Sequence, residues 1–120
     1  MLRNYRDLIV WQKAMDLLVE VYAVTRLYPR EERFGLAAHT RRSAVSGPSN
    51  IAEGYSRRHR AEYNRHVDIA YASTAELETQ LLAAQRLGFL PAAPPVFSRL
   101  TEVERMLAAL RRRLHDPAST

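Results

Sequence analysis

No cysteine occurs in the 120 residues, which excludes disulfides and thiolate metal ligation outright. Lysine occurs once, at Lys13, so the basic character of the chain rests on arginine. No uncharged run approaches the roughly 18 to 20 residues that a membrane span needs. The opening Met1-Leu2-Arg3-Asn4-Tyr5-Arg6-Asp7 carries charges where a secretory signal has its apolar core, so a cytoplasmic protein without membrane association is expected. Period-two alternation is missing as well, and strands are not expected. Neither a glycine-rich phosphate loop nor the Gly-x-Ser-x-Gly elbow is present, and Ser49-Asn50 reads as a helix start rather than a nucleophile. Glu62 and His66 form one i, i+4 pair, whereas a di-iron bundle site needs two Glu-x-x-His pairs and two further glutamates. His39, His59, His66 and His115 form no ligand cluster along the chain. The chain is therefore expected to be non-enzymatic, with no cofactor and no metal.

What is present is the balance of an ordinary globular domain, with 47% apolar and 26% charged residues. The length suits one domain with a core of its own. The net charge of +5 is unevenly spread: residues 26 to 65 hold nine arginines against four glutamates, and the rest of the chain is neutral. A polarised excess of this kind attracts nucleic acid or another polyanion. The densest part marks Arg41, Arg42, Arg57, Arg58 and Arg60 as candidate phosphate contacts. A solvated surface or pairing between subunits explains the same residues equally well. Arg111, Arg112 and Arg113 fall in the last turns of a helix, where positive charge suits the dipole, and a structural role suffices for them. Glu53 is the most tempting carboxylate, yet a capping role accounts for it.

Four amphipathic segments are separated by the strongest breakers, giving helices at about 7–28, 36–55, 60–87 and 95–115 of a single domain over 1–120. From Asp7 as N-cap, the first helix carries an inner row Leu8, Trp11, Met15, Leu18, Tyr22. A second row, Val10, Ala14, Leu17, Val21, Val24 and Tyr28, runs beside it. The two rows cover an arc of about 200°, against the roughly 100° that one core needs, so part of this helix is expected between subunits. In the second helix, Pro48 forces a bend or restart, with Asn50 to Glu53 as a capping box and Gly54 as the left-handed close. Tyr63, Val67, Ala70, Thr74, Leu77, Leu81 and Ala84 form the seam of the third helix, which Gly88 ends. Val96, Leu100, Val103, Leu107, Leu110 and Leu114 form that of the fourth, after the rigid link at 91–95. The pattern is that of an all-α, antiparallel, up-down-up-down four-helix bundle with a proline bend in its second helix.

Several segments together resemble a known bacterial family. They are Leu8-Ile9-Val10-Trp11-Gln12-Lys13-Ala14, Pro29-Arg30-Glu31-Glu32-Arg33-Phe34-Gly35-Leu36 and, most specifically, Arg41-Arg42-Ser43-Ala44-Val45-Ser46-Gly47-Pro48-Ser49-Asn50-Ile51-Ala52-Glu53-Gly54. The chain is similar over residues 5 to 115 to the four-helix-bundle family of the protein encoded by intervening sequences in 23S ribosomal RNA genes. The resemblance implies a ring-shaped homopentamer and no enzymatic activity. It also implies kinship with the accessory protein of diversity-generating retroelements, a basic pentamer that works with a reverse transcriptase and nucleic acid. Gly47, His39-Thr40 and His59 depart from the family pattern, and Gly47 is expected to loosen packing around Pro48. Two functions follow as expectations. One is sequence-nonspecific binding of RNA or DNA, alongside a nucleic-acid-processing protein partner. The other is an oligomeric protein-interaction scaffold with no nucleic-acid role.

Overall fold

The computed structural model describes residues 4–92 and 94–117. The ends of the expected domain, 1–3 and 118–120, and residue 93 of the link lie outside them. Four α-helices account for the architecture: α1 (Ile9–Thr25), α2 (Leu36–Ser56), α3 (Arg60–Arg86) and α4 (Val96–His115). Two 3-10 turns, Tyr5–Asp7 and Arg30–Glu32, precede α1 and α2, and among the described residues there is no strand. The molecule measures 47 × 22 × 20 Å. Each helix packs on its sequence neighbour and α1 also packs on α4, with α2 against α3 the most extensive contact.

The apolar periodicity explains three of the four inner faces. On α3, Val67, Ala70, Thr74, Leu77, Leu81 and Ala84 are buried; on α4, Val96, Leu100, Val103, Leu107 and Leu110 are. On α1 the buried row is Val10, Ala14, Leu17 and Val21. The expected inner row is displaced: Leu8, Trp11, Met15, Leu18 and Tyr22 are only half-buried. Trp11 packs on the edge of the core with its ring 5.3 Å from that of Tyr5, edge to face.

The fourth inner face is of a different kind. α2 buries Ala37, Thr40, Ser43, Ala44, Gly47, Pro48, Ile51 and Gly54, of which only Ile51 is a large aliphatic. Small residues let α2 lie close to α3, and the contact is stitched by polar side chains. Ser43 Oγ donates to Glu76 Oε1 at 2.8 Å, Ser46 and Ser73 share a hydrogen bond of 2.7 Å, and His66 Nδ1 meets Asn50 Oδ1 at 2.9 Å. A Cβ built on Gly54 would stand 2.6 Å from His66 Cβ, so glycine is required for this approach.

Several local expectations are corrected. α2 is one helix that passes through Pro48 without a restart. Proline clashes with the Cβ of the residue before it when that residue is helical, and Gly47 has no Cβ. A Cβ at Gly47 would meet nothing within 4 Å, beside a small void lined by Leu17, Ala44, Ala70 and Leu77. Asn50 is therefore mid-helix and not a cap; its Nδ2 donates to the Ser46 carbonyl at 2.9 Å. Glu53 does not reach back but pairs with Arg57 at 2.9 Å, and Gly54 is helical and buried. Asp7 is not the cap of α1 either. Asn4 caps the first 3-10 turn in a box with Asp7, and α1 starts after Leu8 with no side-chain cap. α1 ends at Thr25, whose hydroxyl donates back to the Val21 carbonyl at 2.8 Å. Gly88 closes α3 as expected, at φ +80. Phe89 N–H bonds the Ala84 carbonyl and Gly88 N–H that of Gln85, the paired bonds of a Schellman end.

Candidate nucleic-acid interface

The five arginines marked from the sequence fall into two groups at opposite ends of α2. Arg41 and Arg57 are separated by about 24 Å of helix rise. Arg41 is half-buried; its Nε donates to Thr25 Oγ1 at 2.8 Å and its guanidinium stands 4.7 Å over the ring of Tyr22. Arg42 is exposed, with Nη2 2.8 Å from His39 Nδ1. These contacts orient both side chains toward the junction of α1 and α2 without neutralising them.

The junction carries two adjoining grooves. One, of about 660 Å³, is lined by Tyr22, Arg33, Phe34, Ala38, Arg41, Arg42, Val45, Ser46 and Ser49. The other, of about 320 Å³, runs past Arg26, Arg30, Arg33 and Arg41 along the turn at Tyr28-Pro29. Arg33 and Arg41 border both. Among the described residues no carboxylate forms an ion pair with Arg26, Arg30, Arg33, Arg41 or Arg42. Glu32, adjacent to Arg33, spends one oxygen on the Leu36 N–H at 3.1 Å. Phe34 stands on the rim, 83% exposed, with the Arg33 guanidinium 5.2 Å over its ring.

At the other end the arginines have structural work. Arg57 forms an exposed ion pair with Glu53 at 2.9 Å. The carboxyl of Glu53 is held below its usual range by that hydrogen bond and by the charge of His66 nearby. Arg60 donates to the carbonyls of Arg113, Leu114 and Asp116 at 2.7 to 3.1 Å, capping the end of α4. Arg58 is exposed and sits at φ 61, in the left-handed region, as α2 hands over to α3. His59 takes the N-cap place of α3 and makes no side-chain cap bond. Arg58, His59 and Arg60, with Tyr55 and Tyr63, border a hollow of about 420 Å³, where burial, with Tyr55 beside it, pushes the Tyr63 phenol up to about 12.

The sequence model of the 23S rRNA-intervening sequence protein family matches residues 6–109. The chain belongs to this family. Comparison with curated proteins found no match. The family match runs through α1, α2, α3 and most of α4, and so takes in both arginine groups and the Phe34 turn. As a 23S rRNA-intervening sequence family protein, the chain has no helix among the described residues long and apolar enough to cross a membrane. No group of three or more His, Asp or Glu side chains among them is placed to hold a metal ion.

Density along the sequence brought out Arg41 and Arg42 but passed over Arg26, Arg30 and Arg33, which the turn at Pro29 folds onto the same end. Density also passes over the aromatics: Tyr22, expected in an inner row, stands under Arg41, and Phe34 stands under Arg33 at the same groove. The adjacent pair Arg33-Phe34 was the signal available.

Proposed function

We propose that this family member is a basic, non-enzymatic protein of the cytoplasm that binds RNA or DNA without sequence preference, as a ring-shaped homopentamer of up-down-up-down subunits. The observation that carries the reading is the pair of adjoining grooves lined by five arginines with no paired carboxylate among the described residues. Phosphates supply the missing counter-charge, and arginine forks suit them. Of the residues marked from the sequence, Arg41 and Arg42 contribute at this end and Arg58 at the other, while Arg57 and Arg60 serve mainly the fold. Opposed register supports the up-down course: Thr25 meets Arg41, Ser43 meets Glu76, Asp68 meets Arg111 and Glu20 meets Arg99. The half-buried row on α1, with Ile9 and Val19 more than 60% exposed, supports assembly, since apolar surface of this kind favours a partner copy. A ring presents five copies of the grooves, so weak contacts gain avidity. A nucleic-acid-processing protein is the expected companion.

Fluorescence anisotropy with labelled RNA and DNA of several sequences, over a salt series, tests the reading. Affinity is expected to fall with salt at a log–log slope of roughly −0.9 per phosphate neutralised on duplex DNA. The double variant Arg33→Glu, Arg42→Glu is expected to weaken all sequences alike, because phosphate contacts position without specifying. Absence of binding at low salt by the intact oligomer refutes it. The second reading, an oligomeric scaffold for another protein, is favoured by the exposed apolar side chains Ile9, Val19, Leu27 and Phe34, and that outcome would leave it standing.

A further inference from the structure

We infer that the larger groove takes a single strand, with an unstacked base laid on the ring of Phe34. The inference rests on the nucleic-acid reading above and adds the form of the ligand. Phe34 is the most exposed large apolar side chain among the described residues, at 83%, and it contributes nothing to the core. Arg33 stands over the ring at 5.2 Å and so limits its orientation, while the remaining surface faces solvent. Inside the groove Arg41 lies over Tyr22 at 4.7 Å. Arg42 is held at the rim through His39. The arrangement alternates ring and guanidinium across one concave surface, which is the chemistry of a stacking platform flanked by phosphate contacts.

A duplex does not fit this chemistry. Its base faces are occupied by neighbouring bases, and only edges are offered in the grooves. An unpaired strand presents the faces a ring can stack on, in RNA or DNA alike. A protein partner, including a second copy of this chain, could also cover Phe34. It would then have to bring carboxylates to arginines that none of the described carboxylates of the same chain pairs with, or bury them unpaired, whereas a phosphate backbone supplies that counter-charge itself.

The test is anisotropy with a short labelled oligo-uridine strand and a labelled duplex of matched length, at one low salt concentration, with light scattering on the same samples. Phe34→Ala is expected to lower single-strand affinity by roughly 5- to 150-fold, the range for loss of one base–aromatic stack, with duplex affinity and assembly mass unchanged. Phe34→Trp is expected to retain or improve single-strand binding. Arg42→Glu should weaken both probes, which reads the phosphate contact separately. If the wild-type protein binds both probes and Phe34→Ala alters neither, or alters both equally, the stacking inference fails while nucleic-acid binding survives. A fall in assembly mass for Phe34→Ala would overturn it in favour of a protein-covered ring. Failure of the wild-type protein to bind either probe would remove the parent reading as well.

Discussion

Replacing Gly54 by alanine should lower stability well beyond the effect of one methyl group. The new Cβ would sit 2.6 Å from His66 Cβ and 3.3 Å from the Tyr63 Cα, closer than carbon atoms pack. Neither neighbour is a flexible chain end, so α2 and α3 must separate by about an ångström to restore contact distance. Overpacking of this kind costs about 1 to 3 kcal/mol. The same displacement strains the hydrogen bond between His66 Nδ1 and Asn50 Oδ1, a part-buried link whose loss costs about 1 to 3 kcal/mol. Alanine recovers about 1 kcal/mol of helix propensity, leaving a net loss of about 1 to 5 kcal/mol. For a domain of this size that lowers Tm by roughly 4 to 20 °C, measured by circular dichroism at fixed protein concentration so that any self-association weighs equally on each variant. Gly47→Ala is the internal control. It lies on the same helix and its Cβ would meet no atom across the helix contact, but it precedes Pro48, whose ring clashes with a helical Cβ. This local cost offsets about 0.5 to 1 kcal/mol of propensity, so Tm should change far less than in Gly54→Ala. If Gly54→Ala melts at or above the wild-type temperature, the close approach of α2 and α3 is wrong.

Other consequences follow from single contacts. Trp11→Ala should cost about 1 to 3 kcal/mol, below the usual figure for a buried tryptophan, because the ring sits half-exposed at the core edge; a urea melt measures it. Arg60→Met should fray the end of α4, seen as faster amide exchange near residues 111–116, and leave the salt slope of nucleic-acid binding unchanged. Burial raises the Asp68 carboxyl, but the hydrogen bonds from Arg111 and His115 outweigh it and hold it below its usual range. A depressed folded-state pKa means stability that is present at neutral pH and lost as pH falls through and below the ordinary carboxylate range, so Arg111→Ala should flatten the acid limb of a urea-midpoint titration. Multi-angle light scattering at micromolar concentration should give five times the chain mass, and a monomer mass would remove the ring.

The helix count and the inner faces of α3 and α4 were legible because strong apolar periodicity dominates those segments. α2 was harder for a physical reason. Its buried face is made of alanine, serine, threonine and glycine, residues whose pattern carries little hydrophobic contrast, and its burial comes from proximity to α3 rather than from apolar bulk. Ser46-Gly47-Pro48-Ser49-Asn50 therefore reads locally as a stop and a new cap. The partners that override this reading, Ser73 and His66, lie 27 and 16 residues away, and only the packed pair of helices supplies them. On α1, two apolar rows side by side leave the direction of the core undetermined by pattern alone. The row with Ala14 is the buried one because alanine allows α1 to approach its neighbours, while Trp11 and Tyr22 are too large for that position.

The candidate site was less legible, because an arginine's availability depends on which acceptors the fold brings to it. The run Arg57-Arg58-His59-Arg60 holds the most arginines of any short stretch in the basic segment 26 to 65, yet Arg60 is absorbed by carbonyls that lie more than fifty residues away and Arg57 by a glutamate one helical turn before it. Arg26, Arg30 and Arg33 are dispersed along the chain, and the turn at Pro29 gathers them with Arg41 and Arg42. Two nearby carboxylates are directed elsewhere, Glu32 to the start of α2 and Glu20 to Arg99 on α4, and among the described residues Glu31 forms no ion pair with them. Local charge density therefore marks both ends of α2, and unpaired charge favours the end with Arg41 and Arg42. The two positions make opposite forecasts. If density ruled, Arg57→Glu with Arg58→Glu would weaken polyanion binding more than Arg33→Glu with Arg42→Glu, since Arg33 lies outside the dense pairs. The pairing pattern requires the reverse order, with the larger loss and the larger fall in salt slope at Arg33 and Arg42.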